Sequence, residues 1–283
     1  MANETTSSTL SELYTEIMAE ALFVSQEQSL MSNLVKNYAI SGQGKAVEVP
    51  QYAAVSASAP GEATDLSNTA INPTSATLTA AEVGIMTTLT DLGRDSAARN
   101  VAADIGQLFG SSIATKIDTD LIALFDGFSE AKGSNSTAIT VALFMQSVSA
   151  LRVNKVPSVV DCNVVLHPNI AYDLKAALTN SFQGTGNLPD VGNEAMRNGF
   201  LGTLGGVRVY ESTNFSNSGS AGDYKCGGFH PDALGLAIKS DLKIETQRDA
   251  SLRGTEIVAT AVYGTGELVD AYGVEMHFDS SIE

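Results

Sequence analysis

The sequence predicts an α+β fold, in which one long helix is followed by short helices and strands in alternation. Apolar residues keep helical spacing from Ser96 to Asp126, which corresponds to about eight turns. After residue 138, helical patterns alternate with short runs of strand-forming residues. The chain of 283 residues is 43% hydrophobic, which is enough to bury a large core. These observations exclude global disorder and favour one large domain or two small ones.

The N-terminal region carries a helix signal. Residues 9–12, Thr-Leu-Ser-Glu, have the spacing of a capping box. The apolar residues behind it recur at helical intervals: Leu10, Leu13, Ile17, Ala21 and Val24. Three glutamates repeat every four residues on another face, and like charges at that spacing weaken an isolated helix. The apolar face therefore needs a partner, which is either the same domain or a neighbouring subunit.

Residues 42–90 form a long segment with few large apolar residues of its own. Val47 and Val49 alternate with polar residues and predict a strand. A second strand pattern returns at Val83, Ile85, Thr87 and Leu89. The residues between these strands are mostly small and polar, with several prolines, so the pair predicts an extended hairpin. Because such a hairpin is marginally stable alone in water, we expect its tip to pack on another copy of the chain.

The long helix and the C-terminal half supply the remaining elements. The apolar positions of the helix are Val101, Ile105, Leu108, Phe109, Ile113, Ile117, Leu121, Leu124 and Phe125. Gly127 stands where a C-terminal cap is expected, and residues 127–138 predict a loop. Two further helices are predicted at Val141–Val153 and Ile170–Thr179, with a glycine-rich loop at 184–192. The predicted strands are Val159–Leu166, Gly206–Tyr210, Gly235–Lys239, Leu242–Thr246, Glu256–Tyr263, Gly266–Val269 and Gly273–Phe278.

The charge balance bears on the possible partners. The formal net charge is −16, from 32 acidic and 16 basic residues. Binding to a phosphate backbone requires clustered lysine and arginine, and the sequence has no basic run of that kind. This excludes sequence-specific recognition of DNA or RNA, although an acidic wall can face nucleic acid without holding it. Only 17% of the residues are charged, which favours extensive contacts between proteins.

Cysteine usage and the N-terminus indicate the compartment. Cys162 and Cys226 are too few for a disulfide framework or a four-ligand zinc site, so we expect both to be small buried residues. The sequence has neither an apolar run that spans a bilayer nor a signal peptide. We therefore expect no membrane partner, and a protein that stays in a cytoplasm until it is released by other means.

The sequence predicts no catalytic, cofactor-binding or metal-binding residues. Phosphate-binding glycine loops, a nucleophile elbow and paired metal-ligand spacings are all missing from the sequence. His167 and His230 each precede a proline, which is typical of a turn, and His277 is isolated. Five aspartates are assigned to solvated positions on a helix or in loops: Asp118, Asp120, Asp223, Asp232 and Asp241. An enzyme acting through the loop at 184–192 remains a competing hypothesis.

Four segments carry a resemblance to a known family. They are VVLHPNIAYDLKAAL (164–178), FLGTLGGVRVYES (200–212), GGFHPDALGLAIKSDLKIETQRD (227–249) and TEIVATAVYGTGELVDAYGVEMHF (255–278). Their order, together with the hairpin and the long helix, resembles the major capsid proteins of tailed bacteriophages, which have the Hong Kong 97 phage fold. The resemblance covers nearly the whole chain.

The resemblance implies four regions. Residues 1–41 are expected to form an N-terminal arm, and 42–84 an extended loop that lies over an adjacent subunit. Residues 85–138 and 242–270 are expected to form a peripheral domain with the long helix as its spine. Residues 139–241 and 271–283 are expected to form an axial domain, which gathers at five-fold and six-fold centres.

The same resemblance implies the function and the partners. The chain is expected to assemble into pentamers and hexamers of an icosahedral shell around phage double-stranded DNA, after a period in the host cytoplasm. Scaffolding is expected to be a separate protein, together with a portal and a decoration protein. Because no lysine occurs between Lys45 and Lys116, the tip of the loop has no lysine for a Lys–Asn cross-link. The alternative is a bacterial nanocompartment of the encapsulin type, which encloses protein cargo.

Overall fold

The computed structural model describes residues 29–52, 55–57, 59, 61–62, 65, 68–96, 101–183, 202–218 and 222–282. The helices are α1 Asp91–Ser96, α2 Val101–Ala123, α3 Val141–Val153 and α4 Pro168–Gln183. The strands are β1 Lys36–Ala39, β2 Ala46–Gln51, β3 Thr74–Thr79, β4 Ala81–Thr90, β5 Ala131–Ala138, β6 Asn163–Leu166, β7 Thr203–Leu204, β8 Val207–Glu211, β9 Asp223–Phe229, β10 Leu234–Asp249, β11 Gly254–Glu267 and β12 Gly273–Asp279. The predicted N-terminal helix and the glycine-rich loop at 184–192 lie outside the described residues.

The strands form three sheets. The first has the order β1-β10-β11-β4, with β1 parallel to β10 and the other pairs antiparallel. The second has six strands in the order β5-β12-β9-β6-β8-β7, and it mixes parallel and antiparallel pairs. The third is the two-stranded hairpin of β2 and β3. This mixture of helices with largely antiparallel sheets confirms the predicted α+β class.

Helix α2 packs across the four-stranded sheet and supplies much of the first core. Phe109, Ile113 and Leu121 on its apolar stripe are buried, as the helical spacing predicts, and so is Phe125 in the turn that follows the helix. The long helix is confirmed from Val101 and continues as a tight turn, Leu124–Gly127, to the glycine that was predicted to end it. Leu108 is different: it belongs to the sequence pattern but is 66% exposed, because it lies one residue away from the buried face.

A second core lies between the six-stranded sheet and helices α3 and α4. Helix α3 is confirmed with the predicted bounds, and it begins where Thr140 Oγ1 accepts a hydrogen bond from Leu143 N at 3.2 Å. Helix α4 is confirmed but is longer than predicted. The predicted strand at Val159–Leu166 begins later than expected, because Val159–Asp161 forms a tight turn before β6.

Several boundaries in the C-terminal half were wrong. Strand β10 is continuous through Ser240 and Asp241, where the polar pair suggested a break; the pairing with β11 shifts register there instead. Strand β11 likewise runs on through Gly264, just after the predicted end at Tyr263, and through Gly266, where a separate strand was predicted to begin. Strands β1 and β9 were missed altogether. The sequence of β9, DYKCGGF, has two glycines and no alternation of apolar residues.

The predicted loop at residues 127–138 was also wrong, because residues Ala131–Ala138 form strand β5. This strand lies at the edge of the six-stranded sheet and pairs in parallel with β12. Its sequence is almost entirely small and polar, and most of its residues are exposed. Gly133 and Ser136 have positive φ values of 85° and 61°, so the strand is irregular. A strand of this kind lacks the alternating apolar pattern on which the prediction depended.

Candidate subunit interface

The hairpin of β2 and β3 projects from the four-stranded sheet. Its strands pair in regular antiparallel register from Ala46 with Thr79 to Gln51 with Thr74. The hairpin itself was predicted, but its returning strand was misassigned. The alternating strand at Val83 is part of β4, which pairs with β11 over ten residue pairs. Strand β3 was overlooked because Leu78 is its only large apolar residue.

The root of the hairpin, where β3 ends at Thr79, is packed against the four-stranded sheet. Leu78 and Ala80 are buried with Ile40, Ala237 and Leu268 in a third apolar cluster. The backbone of β3 approaches β11 so closely that glycines are required. A Cβ atom on Gly264 would lie 2.3 Å from the carbonyl oxygen of Thr79, and one on Gly266 would lie 2.6 Å from Leu78 Cδ2. Gln51 Nε2 also donates a hydrogen bond to the Leu268 carbonyl. These contacts therefore fix the direction in which the hairpin leaves the four-stranded sheet.

The tip, residues 52–73, contrasts with this root. Every described residue in that range is exposed, which agrees with the prediction that the tip has no core of its own. Its large apolar side chains are uncovered as well: Tyr52 is 69%, Val55 55% and Ile71 58% exposed. Burying a side chain of this size is worth about 1.5–3 kcal/mol. A molecule that covered the tip would therefore bury these side chains with a gain of this size.

The four-stranded sheet offers two more exposed apolar areas. Val83, Ile85 and Leu89 of β4 are partly buried on the core side, while Met86 points away from the core and is exposed. At the far end of the sheet, Leu92 and Leu252 are both exposed. That end is held together by the Asp91 N to Arg253 carbonyl hydrogen bond of 2.9 Å and by a two-pronged ion pair between Arg248 and Asp91. The exposed residues therefore lie on ordered backbone.

A buried carboxylate fixes the start of the described chain. Asp118 of α2 is 1% exposed. Its Oδ1 accepts hydrogen bonds from Met31 N at 3.1 Å and from Ser29 Oγ at 3.2 Å, while its Oδ2 accepts one from Leu30 N at 3.1 Å. The Asn214 side chain is a further hydrogen-bond partner. We call this arrangement the Asp118 anchor. It contradicts the prediction that Asp118 lies on a solvated helix face, because helical spacing alone does not show what packs against that face.

Replacing Asp118 tests the anchor. In Asp118→Ala the backbone amides of Leu30 and Met31 lose their acceptor, while the Ser29 hydroxyl keeps Ser32 Oγ at 2.7 Å, so we expect a loss of about 2–3 kcal/mol in the free energy of unfolding. Amide hydrogen exchange of Leu30 and Met31 should accelerate more than exchange elsewhere. Asp104→Ala on the exposed face of the same helix is the matched control, with an expected loss below about 1 kcal/mol. Equal losses in both variants would contradict the anchor.

The anchor also has a pH dependence. Burial raises the pKa of the Asp118 carboxyl above its ordinary value of 3.8, and the hydrogen bonds oppose only part of this shift. The folded chain therefore binds a proton at Asp118 more tightly than the unfolded chain does. As pH falls through the raised pKa toward 3.8, the free energy of unfolding of the wild type should rise relative to that of Asp118→Ala. Urea denaturation of both proteins over this range is the measurement. A relative gain on raising the pH would contradict the sign.

The other predicted acids divide into paired and exposed residues. Asp120 accepts hydrogen bonds from Tyr263 Oη at 2.8 Å and from Lys116 Nζ at 2.6 Å. Asp223 lies on β9 rather than in a loop; it is buried and accepts a hydrogen bond from Ser136 N at 3.1 Å, so its solvated assignment was wrong. Asp232 pairs with Lys36, and Asp241 is exposed on β10. These contacts give Asp120 and Asp223 structural roles.

The two His-Pro turns are confirmed. Each imidazole Nδ1 accepts a hydrogen bond from the backbone amide two residues later, Asn169 N at 3.3 Å for His167 and Asp232 N at 3.2 Å for His230. His167 also stacks on Tyr224 with 3.7 Å between ring centroids, and burial lowers its pKa. His277 lies on β12, and its buried Nε2 has no partner within the described structure. The structure therefore does not bring the three histidines together in one place.

Both cysteines are free and buried, as predicted. Burial raises the pKa of Cys162 to about 11 and that of Cys226 to about 12, so both are thiols at neutral pH. Within the described ranges, no group of three or more His, Cys, Asp or Glu residues is arranged to hold a metal ion. Among the described helices, none is long and apolar enough to cross a membrane.

Comparison with known proteins identifies the fold. No family model matches the sequence, and no curated protein matches it. The structure, in contrast, superposes on a chain from Mycobacterium phage Che8 with a TM-score of 0.70 and 22% identity, covering 88% of this chain and 90% of that one. The capsid structure of the cyanophage P-SCSP1u gives a TM-score of 0.68 and 17% identity, covering 89% of both chains. The mature capsid of bacteriophage PhiM1 gives 0.67 and 14%, covering 88% and 87%.

The correspondence covers 87% or more of the length of each chain. At this level of identity the likeness concerns the backbone and not individual side chains. The chain has the fold of the major capsid proteins of tailed bacteriophages.

Proposed function

We propose that this chain is the major capsid protein of a tailed bacteriophage and that it assembles into an icosahedral shell around double-stranded DNA. The observation that carries the proposal is the whole-chain correspondence with phage capsid structures. In such a shell the chain occupies both pentamers and hexamers, so the same surface of the chain makes similar contacts in each of them. The proposal assigns the chain no catalytic step. It is located in the virion capsid, after a period in the host cytoplasm.

The exposed tip supports this proposal independently of the comparisons. Tyr52, Val55 and Ile71 are exposed on this hairpin, so contact with a neighbour would bury three large apolar side chains. In the proposed shell the tip lies over an adjacent subunit, which covers these side chains. Met86 of β4, Leu92 of α1 and Leu252 between β10 and β11 supply further exposed apolar area. Interfaces of this kind bury several thousand Å² in permanent assemblies.

The two cores support a division into domains. The proposed peripheral domain, residues 85–138 and 242–270, contains α2, most of β4 and all of β11, and the proposed axial domain, residues 139–241 and 271–283, contains β6 to β9 and β12 of the six-stranded sheet. Strand β10 crosses the proposed boundary, since it runs from Leu234 to Asp249. The pairing of β5 with β12 favours assigning Ala131–Ala138 to the axial side. The N-terminal arm is proposed at 1–41, and the extended loop is proposed at 42–84.

The partners follow from the same proposal. The shell requires a scaffold to set its size, and we assign this to a separate protein, with a portal for DNA and a decoration protein on the outside. The excess of acidic over basic residues is compatible with a shell that encloses DNA without binding it tightly. An encapsulin-type nanocompartment is not favoured, since the matched structures described above come from phages and two of them are phage capsids.

Electron microscopy of the protein purified from infected or expressing cells tests the proposal. We expect closed, angular shells of uniform size from the protein expressed with its scaffold, and DNA inside the particles from infected cells. Shells that carry protein cargo without DNA would favour the nanocompartment instead. A protein that remains monomeric under all of these conditions would contradict both functions.

The proposed shell is held together without covalent links. The tip has no lysine, and the two buried thiols are not available to neighbouring subunits. We therefore expect mature particles boiled in detergent and reductant to give a single band near the monomer mass of 29.5 kDa. A ladder of multiples would mean that another lysine, such as Lys45 or Lys225, forms an isopeptide bond. Lysine-to-arginine variants at these two positions would then identify it.

A further inference from the structure

His167 caps the start of helix α4. Its carbonyl oxygen accepts a hydrogen bond from Ala171 N at 2.9 Å, and its side-chain Nδ1 accepts one from Asn169 N at 3.3 Å. These are the bonds of an N-cap residue, whose side chain satisfies an amide that the first helical turn leaves free. Because Nδ1 is an acceptor here, the neutral ring carries its proton on Nε2.

Neighbouring side chains hold the His167 ring in this position. The ring stacks on Tyr224 of β9 and meets Phe215 edge-on, with 6.3 Å between those two ring centroids. The backbone amide of His167 donates to Cys226 Sγ at 3.5 Å. Tyr224 and Cys226 are therefore the titratable residues that approach it from β9. The first turn of α4, Pro-Asn-Ile-Ala, contains no acidic residue.

The acidic residues of the surrounding elements are bonded to other groups. Three such bonds join Asp223 to Ser136 N, Glu211 to Lys175 Nζ and Asp173 to Ser281 N. Asp223 and its cross-strand partner Asp279 point away from Tyr224, because successive side chains of a strand alternate between its two faces. Burial lowers the pKa of His167 below its ordinary value of 6.5, and no carboxylate among the described residues offsets this shift.

A proton on Nδ1 abolishes the cap. The protonated ring can only donate at Nδ1, so it faces the Asn169 N–H with a second donor. The positive end of the helix dipole lies at the same place and disfavours a cation there. The face of the Tyr224 ring attracts a cation, but it offers no acceptor in the plane of the imidazole, where the Nδ1 proton lies.

The beginning of α4 also holds residues 280–282. Asn169 Nδ2 donates a hydrogen bond to the Ile282 carbonyl at 3.1 Å. The Asp173 carboxylate accepts one from Ser281 N at 2.7 Å and another from the Ser281 hydroxyl. We propose that protonation of His167 loosens the first turn of α4 and releases residues 280–282 from it. This inference goes beyond shell formation and does not depend on it, since all of these contacts lie within one chain.

Hydrogen exchange of the free subunit at about pH 7.5 and about pH 5.5 tests the proposal. Protection is measured relative to an unstructured peptide at the same pH, so the pH dependence of the exchange chemistry cancels. We expect the protection of residues 169–172 and 280–282 to fall by at least about threefold at the lower pH, which lies within the range for loss of a helix cap. The sign follows from the lowered pKa, since stability is lost as pH falls from 6.5 through that pKa.

Two variants show which histidine is responsible. His167→Asn keeps a side chain that caps helices well but does not titrate, so the protection of both segments should change by less than about 1.5-fold between the two pH values. His230→Asn is the matched control at the other His-Pro turn, where the Asp232 carboxylate lies 3.6 Å from His230 Nδ1. This control should keep the full response of the wild type. Equal losses of protection in the wild type and His167→Asn would overturn the proposal.

A second measurement needs no substitution. The contact with the Tyr224 ring identifies the His167 imidazole in NMR spectra. Because one proton causes both changes, the imidazole and the Ser281 amide should titrate with the same midpoint, within about 0.3 pH units. A Ser281 amide that does not titrate, or that titrates with a different midpoint, would overturn the proposal even if His167→Asn folds poorly.

Discussion

Replacing residues 52–73 by an Asn-Gly turn is expected to give a folded subunit that no longer forms shells. Gln51 and Thr74 are cross-strand partners, so a two-residue turn can close the hairpin without disturbing its root. The described residues of the tip are exposed and contribute nothing to either core, so the melting temperature should change by less than about 3 °C. Circular dichroism and thermal denaturation report on folding, while size-exclusion chromatography and electron microscopy report on assembly.

Variants of unchanged length separate chain length from contact chemistry. Serine at Tyr52, Val55 and Ile71 removes the exposed apolar side chains of the tip and should also prevent assembly. The exchange of Ser56→Ala together with Ala57→Ser leaves the polarity of the tip almost unchanged, so this control should assemble normally. Normal shells from the Asn-Gly variant would refute the proposed role of the tip. An unfolded subunit would show that the tip stabilises the fold of its own subunit.

Leu121→Asp is expected to prevent folding rather than assembly alone. Leu121 is fully buried on α2, in the same cluster as Phe125 and Ile257. A buried carboxylate without a partner costs several kcal/mol, and a typical domain has about 5–15 kcal/mol of stability in total. We therefore expect an insoluble or protease-sensitive product, measured by solubility, circular dichroism and limited proteolysis.

Leu108→Asp on the same helix is the control for this substitution. Because Leu108 is exposed in the subunit, its replacement should leave the melting temperature within about 3 °C of the wild type. Ile117→Asp should lie between the two, since Ile117 is half-buried at the cleft. A soluble Leu121→Asp subunit with native melting behaviour would mean that the assigned core side of the helix is wrong.

The strength of a local pattern decides how well each element can be predicted. Helix α3 was predicted with its exact bounds, because its apolar residues follow a clear amphipathic pattern. The inward positions of β4 were also predicted, because Val83, Ile85 and Leu89 alternate with exposed residues. Strand β3 carries one large apolar residue, Leu78, and packing against β11 fixes the position of the strand. Because β11 is far away in the sequence, this packing leaves no local pattern in β3.

Glycines misled the sequence analysis for a related physical reason. Gly227 of β9 looks like a turn residue, but a Cβ atom there would lie 2.5 Å from the ring of Phe125. Gly264 similarly marks the close approach of the hairpin, not the end of β11. In each case the glycine makes room for a partner that is distant in the sequence. Local propensity assigns such a residue to a loop when it lies in the middle of a strand.

The interface and the anchor were predictable to different degrees. That the tip lacks core residues follows from its composition, and the structure agrees for the residues it describes. The role of Asp118 does not follow, since a carboxylate on a long helix is usually solvated. Its partners are the backbone amides of Leu30 and Met31, which have no side-chain signature in the sequence. Only the folded chain brings them together.

A reconstruction of the assembled shell by electron cryomicroscopy would show whether the tip lies on an adjacent subunit. We expect density for residues 52–73 on the surface of that subunit, with Tyr52, Val55 and Ile71 covered by it. The root at Gly264 and Leu78 should keep the contacts of the free subunit. A shell in which the tip folds back on its own subunit, or remains uncovered at every position, would contradict the account.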